Sequence, residues 1–244
     1  MPTYSLLKSY YNAHLDETDL KSKLNSQYGG SEKWALVTGA SEGIGREYAV
    51  NLAESGYNLT LVSRSKEKLD KVDAQVRKIN PLIKTRVIPF DVSKASPSGY
   101  AQLFNKDEQT SIIISNAGIM KNAQFFDTKP ATIEAMIKTN FHPHFFLTKY
   151  AMNHFSSTND DFTFKRALVY VSSCVSCMTL PTAATYSGTK TAIAVYCKLA
   201  SDYCNKSKNW KSTVDFQSVH PGTTTTALNN YELGPHASKP EETS

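Results

Sequence analysis

No stretch of the chain reaches the roughly 18 consecutive apolar residues that a membrane-crossing helix needs. The opening MPTYSLLKSYYNAHLDETD lacks the long apolar run of a secretory signal and carries acidic residues that a transit peptide avoids. Lysine and arginine form no block, and the net charge of +5 is spread along the chain. Nucleic acid is therefore not the expected partner. A weak positive field suits an anionic small molecule, such as a phosphate-bearing cofactor. Cysteine is scarce. Cys174, Cys177, Cys197 and Cys204 are unevenly placed and fit a reducing compartment, cytoplasmic or organelle-associated. Cys174 and Cys177 form a CxxC, but a zinc site wants a second pair or suitably spaced histidines. No metal site is expected, and a redox role is not favoured. Internal repeats and low-complexity segments are absent.

What is present is a regular alternation. The 244 residues suit one α/β domain and fall short of two. Residues 1–33 read as a polar extension in which DETDLKSKL forms a short helix, docked on the domain or on a partner. From Trp34 onward, short apolar runs alternate with amphipathic stretches. WALVT (34–38), NLTLVS (58–63), RVIPF (86–90), SIIIS (111–115), ALVYVS (167–172) and VDFQSV (214–219) read as six strands. SIIIS is apolar enough to be buried on both faces. Helices are expected to about Gly56, along Leu69–Ile79, over about 130–156 and over about 183–205. Strands alternating with helices predict a doubly wound parallel sheet over residues 34–226, with a polar tail over 227–244.

The first strand runs into TGASEGIG (38–45), which opens a helix. Gly39 permits a tight turn, Gly43 lets backbone N–H groups approach a pyrophosphate, and Gly45 allows close packing of helix on strand. The helix N-terminus favours negative charge. The strand before the glycines and the helix after them support a dinucleotide site. The second strand ends at Ser63-Arg64, where an acidic residue would bind a ribose hydroxyl and an arginine accommodates a 2′-phosphate. Arg64 argues for NADP(H), and Glu42 in the turn argues weakly against it. Tyr186 and Lys190 in YSGTK lie one helical turn apart on a shared face. A nearby ammonium is expected to lower the phenol from its usual value near 10. Ser173, at the end of the fifth strand, lies where an open α/β sheet binds ligands, and Ser172 is its rival. Pro143 removes its own N–H, so the helix is expected to be disturbed beside Asn140.

These motifs, in this order over about residues 33–226, resemble the short-chain dehydrogenase/reductase family. They are TGASEGIG, Asp91, NAG (116–118), Asn140, Ser173, YSGTK and HPG (220–222). The stretch LNSQYGGSEKWALVTGASEGIG looks like the subgroup of β-ketoacyl-CoA reductases and related hydroxysteroid dehydrogenases. The resemblance implies a Rossmann-like fold, Asn140, Ser173, Tyr186 and Lys190 as catalytic residues, and transfer of a hydride from NADP(H). It further implies cofactor contacts from Gly39, Ser41, Gly43, Ile44, Gly45, Arg64, Asp91, Asn116, Gly118, Tyr186, Lys190, Pro221, Gly222 and Thr226. In that family the asparagine interrupts a helix and holds a water that relays protons to the lysine. The implied reaction joins a ketone and an alcohol, with a fatty acyl or steroid-like substrate. Residues 223–244 hold no apolar strand, so the family's substrate lid and seventh strand are expected to be missing. Ser176 stands where the family often has glycine. The alternative reading is a structural subunit of a larger assembly, or a homo-oligomer component, that keeps the fold and the nucleotide without turnover.

Overall fold

The computed structural model describes residues 17–121, 125–157, 163–178, 180–208, 210 and 213–222. Thr226 and the polar tail expected beyond it lie outside the described residues. Six parallel strands form one sheet in the order β3-β2-β1-β4-β5-β6. They are β1 (Trp34–Thr38), β2 (Asn58–Ser63), β3 (Thr85–Pro89), β4 (Thr110–Ser115), β5 (Arg166–Val171) and β6 (Val214–Val219). The sequence places every one of these strands to within a residue. The chain starts mid-sheet at β1, winds outward to β3, returns to β4 beside β1 and winds outward again. The order therefore reverses between β1 and β4, and an open α/β sheet binds its ligand at the carboxyl ends of such a pair.

The helices are α1 (Glu17–Tyr28), α2 (Gly43–Glu54), α3 (Lys66–Ile79), α4 (Pro130–Asn140), α5 (His142–Ser157) and α6 (Ala184–Lys206). They cover both faces of the sheet. Successive residues of a strand point to opposite faces, so β1 feeds two cores. Ala35 and Val37 join Leu52, Leu59, Leu61, Leu69 and Val76 in one, under α2 and α3. Leu36 joins Ile113, Leu147, Phe155, Leu168 and Ile193 in the other, under α5 and α6. All six residues of β4 are buried, as its unbroken apolar sequence predicts, while the edge strand β3 is only half-buried.

The helical stretch expected over 130–156, with its disturbance beside Asn140, is two helices. Helix α4 ends at Asn140 and α5 begins at His142. Pro143 has no N–H to give and its ring excludes the carbonyl four residues back, so a continuous helix cannot pass this point. Helix α1 docks on the domain itself. Tyr28 (2.9 Å) and Gln27 (3.0 Å) both donate to the Asp215 carboxylate of β6, Asn25 donates to the Ser55 carbonyl at 3.0 Å, and Lys165 donates its backbone N–H to the Gln27 carbonyl at 2.9 Å. These contacts lie at the β6 edge and the α2 C-terminus, away from the carboxyl ends of the strands.

Leu36→Ala is expected to cost about 2–5 kcal/mol, because the cavity opens in the middle of the sheet. Tyr28→Phe is expected to cost about 1 kcal/mol, because Asp215 keeps its other partners. Urea unfolding of the two variants beside the unaltered protein checks both values.

Candidate active site

The carboxyl ends of β1 and β4 are tied together by side chains. Asn116 donates from Nδ2 to the carbonyls of Thr38 (3.1 Å) and Gly39 (3.3 Å). Thr38 Oγ1 in turn accepts the backbone N–H groups of Asn116 (2.9 Å) and Ala117 (3.2 Å). Gly39 and Gly43 have φ of 68° and 60°, the left-handed region that glycine occupies without strain. A Cβ on Gly45 would lie 2.3 Å from the Gly39 carbonyl oxygen, so only glycine lets α2 pack this closely on the turn. No side chain caps the start of α2 and no acidic residue stands in its first turn. Its first N–H groups are left for an anion.

A cleft of about 520 Å³ opens there. Gly39, Ser41, Gly43, Ile44, Arg64, Asn116, Gly118, Pro221 and Gly222 line it, together with Ser173, Tyr186 and Lys190. Gly45 acts in packing and is not part of the lining. Asp91 is also away from the wall, which is formed by its neighbours Phe90 and Val92. Its carboxylate accepts the Ser93 hydroxyl at 2.6 Å and the Ser93 N–H at 3.0 Å. Burial alone would raise it, but those two bonds and the positive charge of Arg64 hold it below the usual carboxylate value. Both bonds fall on Oδ1, so the turn holds the carboxylate in place.

Sequence reasoning missed Lys68. It stands one turn into α3, lines the cleft beside Arg64 and Ser65, and bonds Glu42 at 2.6 Å. The pair sits across two elements, so no local pattern marks it. Glu42, read from the sequence as hostile to a phosphate, has its charge matched by this lysine. With the glycine turn, the uncapped helix and Arg64 just after β2, the residues fit a dinucleotide carrying a 2′-phosphate.

At the other end of the cleft four side chains converge. Tyr186 stands in the first turn of α6, and its ring lies 5.7 Å from Lys190 Nζ. Lys190 is 3% exposed and donates to the Val171 carbonyl at 2.7 Å. Ser172 and Ser173 part company. Ser172 is buried and donates to the Lys190 carbonyl at 2.8 Å, which fixes α6 on β5. Ser173 lines the cleft beside Tyr186, and its Oγ accepts the Val175 N–H at 3.4 Å. Asn140 is fully buried. Its Oδ1 accepts the Ile119 N–H at 2.7 Å and its Nδ2 donates to the Ile119 carbonyl at 2.8 Å and to Thr189 at 3.3 Å. It clamps the loop after β4 onto α6, at the point where α4 stops.

The ionisation of this group departs from the sequence expectation. Burial pushes the Tyr186 phenol up to about 12, and the neighbouring Ser173 hydroxyl only partly opposes it. Burial likewise brings the Lys190 ammonium down to about 8. Lys190 was expected to pull the phenol below 10; the loss of water around both groups decides instead. Behind them, burial and then the charge of Lys190 bring His144 down to about 3, and its Nδ1 pairs with the Ser115 hydroxyl at 2.8 Å. Among the described residues no cluster of metal-ligating side chains occurs and no helix is long and apolar enough to cross a membrane.

Lys190 carries a pH signature. Its folded value of about 8 lies below the ordinary 10.5. Below pH 8 both states hold the proton and the full cost of the buried charge is present. From pH 8 to 10.5 the folded state sheds the proton first, so stability gains as pH rises. Lys190→Met is expected to abolish that gain. Unfolding free energies of both proteins at pH 7 and pH 10 measure it, and an unchanged difference would contradict the placement.

The geometry has known counterparts. A very-long-chain 3-oxoacyl-CoA reductase of Coccidioides immitis is 44% identical over 102 residues, which are 41% of this chain and 29% of that one. A putative steroid dehydrogenase 1 of Caenorhabditis elegans is 37% identical over 111 residues, 45% of this chain and 32% of that one. The matched stretch is about a third of the length of such relatives. A short-chain dehydrogenase from Sphingobium yanoikuyae, solved in complex with NADPH, shares the fold at a TM-score of 0.73 and 24% identity, over 86% of this chain and 80% of that one. The short chain dehydrogenase profile matches residues 33–234, so the chain belongs to that family.

Proposed function

We propose that the chain is an NADP(H)-dependent carbonyl reductase that takes an apolar ketone of the fatty acyl or steroid type. The observation that carries the proposal is the meeting of Ser173, Tyr186 and Lys190 in one cleft with the glycine turn. Arg64 supports the phosphorylated cofactor over the plain one. The names of the relatives from Coccidioides immitis and Caenorhabditis elegans support the substrate class.

The bound dinucleotide would supply the hydride. The chain's own residues do the rest. The Ser173 hydroxyl holds the substrate oxygen next to the phenol. Tyr186, protonated throughout the neutral range by its value of about 12, gives its proton to that oxygen. Lys190 places a cation 5.7 Å from the Tyr186 ring and favours the phenolate that the transfer leaves. Asn140 keeps the Ile119 loop and α6 in register around both. Ile119, Met120, Val175 and Leu180 line the same end of the cleft and offer an apolar wall to a long or ring-shaped ketone.

Two measurements test the reading. By calorimetry, NADPH is expected to bind more tightly than NADH, and Arg64→Ala to weaken NADPH by about 10- to 100-fold, the loss of about 1.4–2.7 kcal/mol of charge-assisted hydrogen bonding. With long-chain β-ketoacyl-CoA and steroid ketones, Tyr186→Phe is expected to lower turnover by about 10²- to 10⁴-fold while NADPH binding persists. Binding of neither nucleotide would overturn the proposal and leave the fold as a scaffold. Turnover untouched by Tyr186→Phe would overturn the assignment of the acid.

A further inference from the structure

Cys174, Val175, Ser176 and Cys177 form a single 3₁₀ turn that begins directly after Ser173. The CxxC spacing alone speaks for no role, because four residues can take many shapes. The 3₁₀ turn narrows them to one. Residues three apart in such a turn eclipse each other, about 6 Å apart along the axis. That separation falls within the roughly 4.4–6.8 Å that a disulfide spans between Cα atoms. In such a turn, side chains three apart project from one side.

The remaining cysteines behave differently. Cys197 and Cys204 are buried on α6, and burial raises both thiols, Cys197 to about 11. A buried thiol with little thiolate is inert. Cys177 is exposed, and Cys174 is half-buried where it lines the cleft and packs beside Tyr186 and Val175. The turn that carries them is held from several directions. Cys174 donates its N–H to the Pro221 carbonyl at 2.9 Å, and Ser176 to the Ser173 carbonyl at 3.0 Å. The Ser176 hydroxyl meets His220 Nδ1 at 2.8 Å, and Thr191 donates to the Ser176 carbonyl at 3.0 Å. Ser176, where the family often has glycine, thus anchors the turn through His220. Both cysteines are presented together, with little chain left to order on closing.

We propose that Cys174 and Cys177 are a reversible dithiol–disulfide pair on the rim of the cleft, oxidised by small-molecule disulfides. The geometry described above is that of the dithiol form. The exposed Cys177, as thiolate, attacks one sulfur of a small disulfide such as glutathione disulfide. One glutathione leaves and takes a proton. Cys174, as thiolate, then attacks the Cys177 sulfur of the mixed disulfide and expels the second glutathione, which is likewise protonated. Two protein thiols lose two hydrogens to one disulfide, which becomes two thiols. The site adjoins Ser173, so the redox state of the pair is set at the mouth of the cleft.

The test needs no turnover, so a failed reductase assay has no bearing on it. The full chain is reduced, freed of reductant, incubated with glutathione disulfide, quenched with acid and mapped by peptide mass after alkylation in denaturant. The expected result is a 174–177 peptide lighter by two hydrogens and unalkylated at both cysteines, with Cys197 and Cys204 alkylated. Dithiothreitol is expected to restore both thiols. In Cys174→Ser, Cys177 is expected to keep one glutathione as a stable mixed disulfide. An unaltered protein that retains glutathione on Cys177, stays fully reduced, or links either cysteine to Cys197, Cys204 or a second chain would overturn the proposal.

Discussion

Two side chains at the carboxyl ends of β1 and β4 hold the rest of the site in place. Parallel strands that diverge at a reversal of winding leave a gap, and their last peptide groups have no neighbour to bond. Thr38 and Asn116 fill that need across the gap, each bonding the other's backbone. The tie sets where the glycine turn leaves the sheet. It also leaves no room for a side chain on Gly39, whose Cβ would lie 2.7 Å from Asn116 Nδ2. The open helix N-terminus and the loop that carries Gly118 and Ile119 follow from this one junction. So does the cleft between them.

A second constraint acts through water. Tyr186, Lys190 and His144 are all nearly sealed from solvent. Such a setting disfavours the charged form of a phenol, an ammonium and an imidazole alike. The phenol rises and the two bases fall. Close spacing of Tyr186 and Lys190 does not reverse this, because attraction across 5.7 Å must compete with the lost hydration of both partners. The arrangement keeps a proton on the phenol and makes the charge of Lys190 sensitive to its surroundings. A group that enters the cleft and changes its water or its charge would act on both residues at once.

The Asn140 region joins the two constraints. Pro143 stops a helix that would otherwise run on, and the break leaves the last residue of α4 facing inward. The Asn140 side chain then bonds both the N–H and the carbonyl of Ile119, as a strand would. A loop that would otherwise expose its backbone to the cleft is pinned to α6 through Thr189. The same side chain thus satisfies buried polar groups and aligns the floor beneath Tyr186 and Lys190.

The strand boundaries were legible in the residues, because each strand is a short apolar run and the winding pattern leaves few ways to arrange six of them. The glycine turn, the helix break at Pro143 and the shared face of Tyr186 and Lys190 were legible too, since each is a local consequence of φ, a missing N–H or helical pitch. Other features depend on distant neighbours. Lys68 meets Glu42 across two elements, and Asp91 holds Ser93 through Oδ1. Ser172 turns inward to the Lys190 carbonyl while Ser173 lines the cleft. The CxxC spacing says nothing until a 3₁₀ turn eclipses its ends. Burial is the reason the phenol moved opposite to expectation. Chain order and local chemistry by themselves determined the elements and the candidate side chains. Only the tertiary structure decided which of them lose their water and which partners they gain, because desolvation and cross-chain contacts exist only once the layers have closed.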